Sequence, residues 1–357
     1  MKIASVVGAR PEFIKLTAVH AALAPVTDHA IIHTGQHYDY ELSGIFFKEL
    51  KIPEPDYNLN VGSSSQMVQI SDMITGLEKI FSTSHFDLII VYGDTNSTFA
   101  GALAAMRTGI KVAHVEAGLR SFDRRMPEEI NRLLTDQLSD YLFAPTRTAI
   151  ENLDREHVYG KVIYSGDIHV EILNEALQLS KNSSILKDLG LEPKTYTLFT
   201  MHRAENTLSD ESLISVLRAF EILSEVQIVF PIHPRTRKIL QEKNLLRRLE
   251  KCKNVRLIEP LGYIDFVKLM QNAYKIITDS GGIQKESYLC HVPGITIREN
   301  TEWVETVKVG WNVLTGTNTE RIVNAVRSWQ PTTNSIEPIF GNGDTSKIIR
   351  DNIINAL

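Results

Sequence analysis

The feature that most constrains this chain is a repeated unit: a short apolar run, a polar loop, then a helix-forming stretch. Lys111 to Val115 is one such run and reads as a buried strand. It leads into His114-Val115-Glu116-Ala117-Gly118-Leu119-Arg120 and on to Met126-Pro127-Glu128-Glu129-Ile130-Asn131-Arg132. Pro127 suits the first turn of a helix, which sets Glu128 and Glu129 beside its free N–H groups. The unit recurs at Ile3 to Val7, which ends in Gly8-Ala9-Arg10-Pro11-Glu12-Phe13-Ile14-Lys15. It recurs again at His29 to Thr34, before Gly35-Gln36-His37, and at Leu88 to Tyr92, before Gly93-Asp94-Thr95. Strands alternating with helices build parallel sheets, and open parallel sheets bind ligands at the carboxyl ends of their strands. Arg10, Gln36, His37, Asp94 and Glu116 then fall along one sheet edge, which predicts a polar cleft.

Singly, these residues have plainer accounts. Asp94 reads equally as a helix N-cap, His37 as a structural histidine, and Glu128 and Glu129 as acids favoured at a helix start. Arg10 and Lys15 flank the N-terminus of the first helix, a natural anion site, and equally an ordinary junction carrying surface cations. The turn holds one glycine rather than a GxGxxG fingerprint, which weighs against a dinucleotide cofactor. Gln66, after the 62–65 loop, is within reach of the same edge, with a helix from about Gln69 to Phe81. Tyr141 to Pro145 and Val162 to Gly166 close the first sheet.

From about Asp167 the pattern restarts. Tyr196 to Thr200 ends in Met201-His202-Arg203-Ala204-Glu205-Asn206, and Lys275 to Thr278 ends in Asp279-Ser280-Gly281-Gly282-Ile283-Gln284-Lys285-Glu286. Ser-Gly-Gly at a strand-to-helix turn exposes backbone N–H groups that suit a diphosphate. Glu286, a turn further on, would repel phosphate and better accepts hydrogen bonds from ribose hydroxyls. Close packing is the other reason for glycines at such a turn. The pattern predicts two α/β domains, 1–166 and 167–344, with an amphipathic helix at 345–357 packing back on the first.

Composition narrows the function classes. The 357 residues suffice for two cores. A net charge of −5 gives no basic field for nucleic acid or an anionic membrane. The N-terminus reads as a strand rather than a signal peptide, and no apolar run approaches the roughly 20 residues that span a bilayer. The two cysteines have no metal-like spacing, so a reduced, cytoplasmic setting is expected.

Taken together, the Gly8–Lys15, Gly35–His37, Gly93–Thr95, His114–Arg120, Pro127–Arg132, His202–Asn206 and Thr278–Gln284 motifs closely resemble the non-hydrolysing UDP-N-acetylglucosamine 2-epimerase family. The resemblance runs over nearly the whole chain. It implies the GT-B architecture, an α/β fold of two Rossmann-like domains whose parallel sheets face a central cleft. It implies reversible conversion of UDP-GlcNAc to UDP-ManNAc by loss of the C2 proton and of UDP, through a 2-acetamidoglucal, with UDP then re-added. No metal or nicotinamide is implied, and homodimers are common in the family. Carried over by motif, Asp94, Glu116, Glu128 and His202 fall on catalytic positions. Arg10, Lys15, Ser280, Gly281, Gly282 and Glu286 fall on UDP-binding ones, and Phe266 matches a residue near the uracil. Gln36, His37 and Gln66 match part of an allosteric substrate site of some bacterial members.

Two departures bear on the sugar. A common Thr-Glu-Arg-Pro-Glu stretch reads Thr301-Glu302-Trp303-Val304-Glu305, and a common Gln-Glu-Glu reads Gln284-Lys285-Glu286. Both look like the branch acting on UDP-2,3-diacetamido-2,3-dideoxyglucuronate. Trp303 either packs beside the Ser-Gly-Gly turn or shapes the sugar pocket. Three rivals stand beside the epimerase: a GT-B glycosyltransferase, which needs an acceptor; a hydrolysing epimerase, which frees ManNAc; and a non-catalytic sugar-nucleotide sensor, which would have lost some of the acids.

Overall fold

Each apolar run becomes a strand of a parallel sheet. In the computed structural model, residues 1–36, 53–333 and 335–356 are described; His37 lies outside them. The chain divides into two units, Met1–Asn174 with Pro338–Leu357, and Glu175–Glu337.

The first unit carries β1 (Lys2–Val7), β2 (Asp28–His33), β3 (Tyr57–Asn58), β4 (Leu88–Tyr92), β5 (Lys111–Val115), β6 (Tyr141–Ala144) and β7 (Lys161–Tyr164). Their order is β3-β2-β1-β4-β5-β6-β7, all parallel. The connecting helices that matter below are α1 (Arg10–Leu23), α2 (Gln66–Thr83), α3 (Asn96–Arg107), α4 (Pro127–Leu138), α5 (Arg147–Arg155) and α6 (His169–Ser180). Strands buried on both faces need continuous apolar sequence, and all five residues of β4 are buried. Val6, Ile32, Ile89, Val91 and Val112 pack with Met73 and Leu77 of α2 and the alanines of α3. The C-terminal helix Thr345–Ala356 packs against α1.

The second unit carries β8 (Tyr196–Thr200), β9 (Gln227–Pro231), β10 (Val255–Ile258), β11 (Lys275–Thr278), β12 (Gly294–Thr296) and β13 (Asn312–Leu314), in the order β10-β9-β8-β11-β12-β13, again all parallel. Its helices include α7 (Asp210–Ile222), α8 (Tyr263–Asn272), α9 (Gly281–Leu289), α10 (Val304–Lys308) and α11 (Thr319–Arg327). Phe199 stacks edge-on against Phe220 and Phe230, with centroids 4.8 and 4.6 Å away.

In both units the chain runs outward from a central strand and then returns to its other side. The order reverses between β1 and β4, and between β8 and β11. Crevices at such reversals are where open α/β sheets hold ligands. The Gly8 and Asp94 turns flank the first, and the His202 and Ser280 turns flank the second.

Several local expectations shift. Strands β3, β12 and β13 are too short to stand out as apolar runs. α2 starts at Gln66, and α3 at Asn96. Asp94 is not the N-cap of α3; Thr95 is, its hydroxyl accepting from Thr98 N–H.

Candidate active site

The first unit gathers charge at the ends of β4, β5 and β7. Glu116 follows β5 with φ of +78°. A non-glycine residue there is strained, and such strain clusters at functional sites. The Lys15 ammonium, on α1, bonds the Glu116 carboxylate, and both side chains are nearly buried. Asp94 lies beside them and takes a 2.5 Å bond from Arg132 of α4. Withdrawal from bulk water pushes the Asp94 carboxyl up; Arg132 opposes this, Glu116 adds to it, Lys15 opposes it, and Glu128 adds to it. Those four groups thus sit close enough to Asp94 to act on its charge. Two acids bonded to two cations, with Glu128 close by, set several carboxyl groups where proton transfer would need them.

The neighbours of the cluster are structural. Glu129 is buried, and its carboxylate accepts from Ser121 N–H, Phe122 N–H and Arg132 at 2.8–2.9 Å. Burial would raise its carboxyl, but these bonds hold it below its ordinary value. Glu129 therefore serves the 121–122 loop rather than the free N–H groups of α4, while Glu128 stays exposed. Beneath, His114 spans from Asp136 (Nδ1, 2.6 Å) to the Gly93 carbonyl (Nε2, 2.7 Å). Asp136 also takes Arg120 at 2.7 Å. This buried network braces the turn that presents Asp94.

The anion site expected at the first helix start is already filled. Glu12 accepts from Gly8 N–H (2.6 Å) and Ala9 N–H (2.8 Å), and from Thr95 (2.5 Å) and Thr98 (2.9 Å). Glu12 thus holds these two N–H groups, and the Lys15 ammonium is paired with Glu116. Arg10 opens α1; its side chain lies outside the described set. Gln36 accepts from Ser97 N–H and Oγ at 2.9 and 2.7 Å, which ties the β2 loop to α3. Gln66 is exposed, and it is Gln69 that turns inward to Asn96.

Two residues of this cluster carried no sequence signal. Asp167 and His169 follow β7, 2% and 8% exposed. Glu116, Asp167 and His169 each bring one ligand-type atom within 4.8 Å of the others. These residue types could hold a divalent ion, but the ammonium of Lys15 already serves Glu116 there and would repel one.

In the second unit the Asp279 carboxylate accepts from His202 N–H (3.1 Å), Arg203 N–H (2.9 Å) and the Asn206 amide (3.3 Å). It lies 3.5 Å from His202 Nδ1, whose side chain is half open. Asp279 thus fixes the loop that carries His202. Next to it the Ser280 side chain makes no cap bond to α9, so the helix N-terminus is not closed by its own cap. Gly281 is required by packing, since a Cβ there would lie 2.6 Å from Glu302 Oε1 and 3.2 Å from Trp303 Nε1, whereas a Cβ at Gly282 would meet only Ser280 Oγ, at an ordinary 3.9 Å. The packing reading thus accounts for Gly281. Glu286 accepts from the Tyr263 hydroxyl at 2.7 Å, and Phe266, also on α8, is half-buried.

Trp303 is 3% exposed and N-caps α10. The Lys285 ammonium sits 3.9 Å from its ring centroid, a cation–π pair. The two departures from the family pattern are therefore one feature. Glu302 beside it is ion-paired to Arg298 (2.8 Å) and Arg203 (3.3 Å).

A family model described as UDP-N-acetylglucosamine 2-epimerase matches residues 21–354. The chain belongs to that family. The enzyme is an isomerase, a nucleotide-sugar 2-epimerase. It is 50% identical over 348 residues to a UDP-N-acetylglucosamine 2-epimerase homolog of Methanococcus maripaludis, covering 97% of each chain. It is 41% identical to a UDP-2,3-diacetamido-2,3-dideoxy-D-glucuronate 2-epimerase of Pseudomonas aeruginosa, over 98% of this chain and 99% of that one. The crystal structure of Methanocaldococcus jannaschii UDP-GlcNAc 2-epimerase in complex with UDP-GlcNAc and UDP aligns over all of both chains, with TM-score 0.93 and 42% identity. The fold of this epimerase, two Rossmann-like parallel sheets, is the one its GT-B-like relatives share. Among its described residues no helix is long and apolar enough to cross a membrane.

Proposed function

We propose that the enzyme interconverts UDP-GlcNAc and UDP-ManNAc by eliminating UDP and adding it back. The observation that carries this is the Lys15–Glu116 and Asp94–Arg132 cluster at the reversal of the first sheet. The proton at C2, beside an acetamido group, is weakly acidic, so a positioned carboxylate must remove it. As it leaves, the C1–O bond to UDP breaks and a C1=C2 double bond forms, giving the 2-acetamidoglucal. Delivery of a proton to the opposite face of C2, with UDP returning to C1, completes the inversion. Chemistry on two faces accounts for several acids in one place. Asp94, Glu116 and Glu128 are assigned to these proton transfers, with Lys15 and Arg132 holding their charges.

Departing UDP develops charge on its β-phosphate. The uncapped N-terminus of α9 at Ser280, Gly281 and Gly282 is assigned to the diphosphate, with Arg10 and His202 aiding the leaving group. Glu286, oriented by Tyr263, accepts from ribose hydroxyls, and Phe266 lies by the uracil. No metal or nicotinamide enters this scheme. Free Cys252 and Cys290 suit a reducing, cytoplasmic compartment.

A second reading rests on Lys285 and Trp303. The Pseudomonas relative named for the diacetamido uronate is nearly as similar as those named for UDP-GlcNAc, and the buried Lys285–Trp303 pair rebuilds the packing beside the phosphate turn, which bears on the fit of an enlarged sugar. Assaying both UDP-sugars without an acceptor separates the readings. A kcat/KM for UDP-GlcNAc at least equal to that for the uronate supports the first, and strong preference for the uronate overturns it. Release of free ManNAc would mark a hydrolase, and inertness without an acceptor would mark a transferase.

A homodimer is part of the proposal. α4 buries its polar side, Glu129, Arg132 and Asp136, and turns Ile130 and Leu134 outward. A second copy is the natural cover for a helix so inverted. Sedimentation of Leu134→Glu should give a monomer if that face is the contact, and an unchanged mass would reject it.

A further inference from the structure

We infer that Asp167 and His169 form a second anchor on Glu116, with His169 setting the pH at which that carboxylate is ready to act. The inference rests on the proposed role of Glu116 as a proton-transfer group. Lys15 holds Glu116 from α1. The β7 loop brings the second set of groups close, with one atom each of Asp167, His169 and Glu116 within 4.8 Å of one another.

The loop is built to hold this arrangement. Gly166 has φ of +74°, and a Cβ there would lie 2.9 Å from the Phe340 carbonyl, so the turn needs glycine. Asp167 N–H donates to that carbonyl at 2.8 Å. The Asp167 carboxylate accepts from His169 N–H at 2.9 Å and lies 3.4 Å from His169 Nδ1. Both side chains are at least nine-tenths buried. A carboxylate fixed in this way orients the imidazole beside it.

The charges give the arrangement its meaning. Glu116 and Asp167 are two acids in close quarters, and two ionised carboxylates there repel. Lys15 offsets one of them. A protonated His169 weakens the repulsion further and favours the ionised Glu116, ready to take a proton. Without the imidazolium the repulsion rises, and Glu116 holds a proton more tightly. Among the described residues, Glu116 also acts on Asp94, as do Arg132 and Glu128 of α4, and Glu12 of α1 is engaged by Thr98. Glu171 of α6 is engaged elsewhere, with Ser346 N–H at 2.7 Å.

The two members of the anchor carry opposite charge, so removing them should move the pH profile in opposite directions. In His169→Gln the acid limb of kcat/KM should move to higher pH by about half a unit or more. In Asp167→Asn, which keeps an acceptor for the 169 N–H, it should move to lower pH. A role confined to folding would change the melting temperature and the height of the profile but not give limbs displaced in opposite senses. Unshifted limbs in two variants that fold and bind UDP as the parent does would overturn the inference. Glu116→Gln run alongside keeps the two claims apart. Its inactivity with unshifted limbs elsewhere rejects only the anchor, whereas an active Glu116→Gln rejects the role of Glu116 itself.

Discussion

At the scale of single residues, the charged side chains divide by what bonds them. Glu129 and Asp136 are bonded by backbone and arginine donors and act as framework. Asp94 and Glu116 each take a bond from a cation, at the rim of the sheet. Glu116→Gln and Asp94→Asn should each lower turnover about a hundredfold or more, the usual range for acid–base groups. A purified, folded pair with turnover near the parent's would remove both from the chemistry. Buried histidines make a separate prediction about stability. Burial, with His20 beside it, depresses His29 to about 3, and burial depresses His33 to about 4. The unfolded chain binds a proton at each below about 6.5, and the folded chain does not until these lower values. Stability should therefore fall as pH drops from about 6.5 towards about 3. Melting curves of His29→Phe across that range should fall less steeply than the parent's, and parallel curves would reject the account. The acids at the strand ends were legible because each follows a recognisable apolar run. Glu12 was not read for its role, because nothing in a linear pattern says that its carboxylate folds back onto Gly8 and Ala9. Asp167 and His169 were missed although the run before them was read, because the turn that places them rests on Gly166 against the distant Phe340 carbonyl.

Among the elements, α9 and α10 carry the most specific departure of this chain. Trp303 lies buried under Lys285, with its indole N–H edge toward Gly281. Packing and proximity to the phosphate turn are thus both true of one side chain. Arginine at 303 would set a second cation against a buried ammonium and remove the ring that supports it. Trp303→Arg should cost about 2 kcal/mol or more of stability and lower activity on both candidate sugars alike, with part of the melting temperature recovered by adding Lys285→Met. Full stability together with a changed preference between the sugars would mean that Trp303 acts through the substrate alone. Sequence could name both departures but not join them, since 18 positions of chain separate residues that only the α9–α10 packing brings together. Lys275 makes a similar point. A lysine in a buried strand argues against burial until its ammonium is seen to bond the Ala325, Val326 and Trp329 carbonyls at the end of α11.

For the molecule as a whole, two doubly wound sheets each present polar turns at the point where strand order reverses, acids on the first and an uncapped helix start on the second. The restart of the pattern near Asp167 suggested two parts to the chain, whose units divide after Asn174 and again after Glu337. What could not be read was the sugar, because specificity depends on side chains whose neighbours are set by packing. The central claim concerns bond-making at C2, and it is tested most directly by NMR of the enzyme with UDP-GlcNAc in D₂O. The account predicts that UDP-ManNAc appears with deuterium at C2, and that Glu116→Gln slows the exchange and the conversion together. UDP-ManNAc that retains the original C2 proton through inversion, or the absence of exchange with every candidate UDP-sugar, would contradict it.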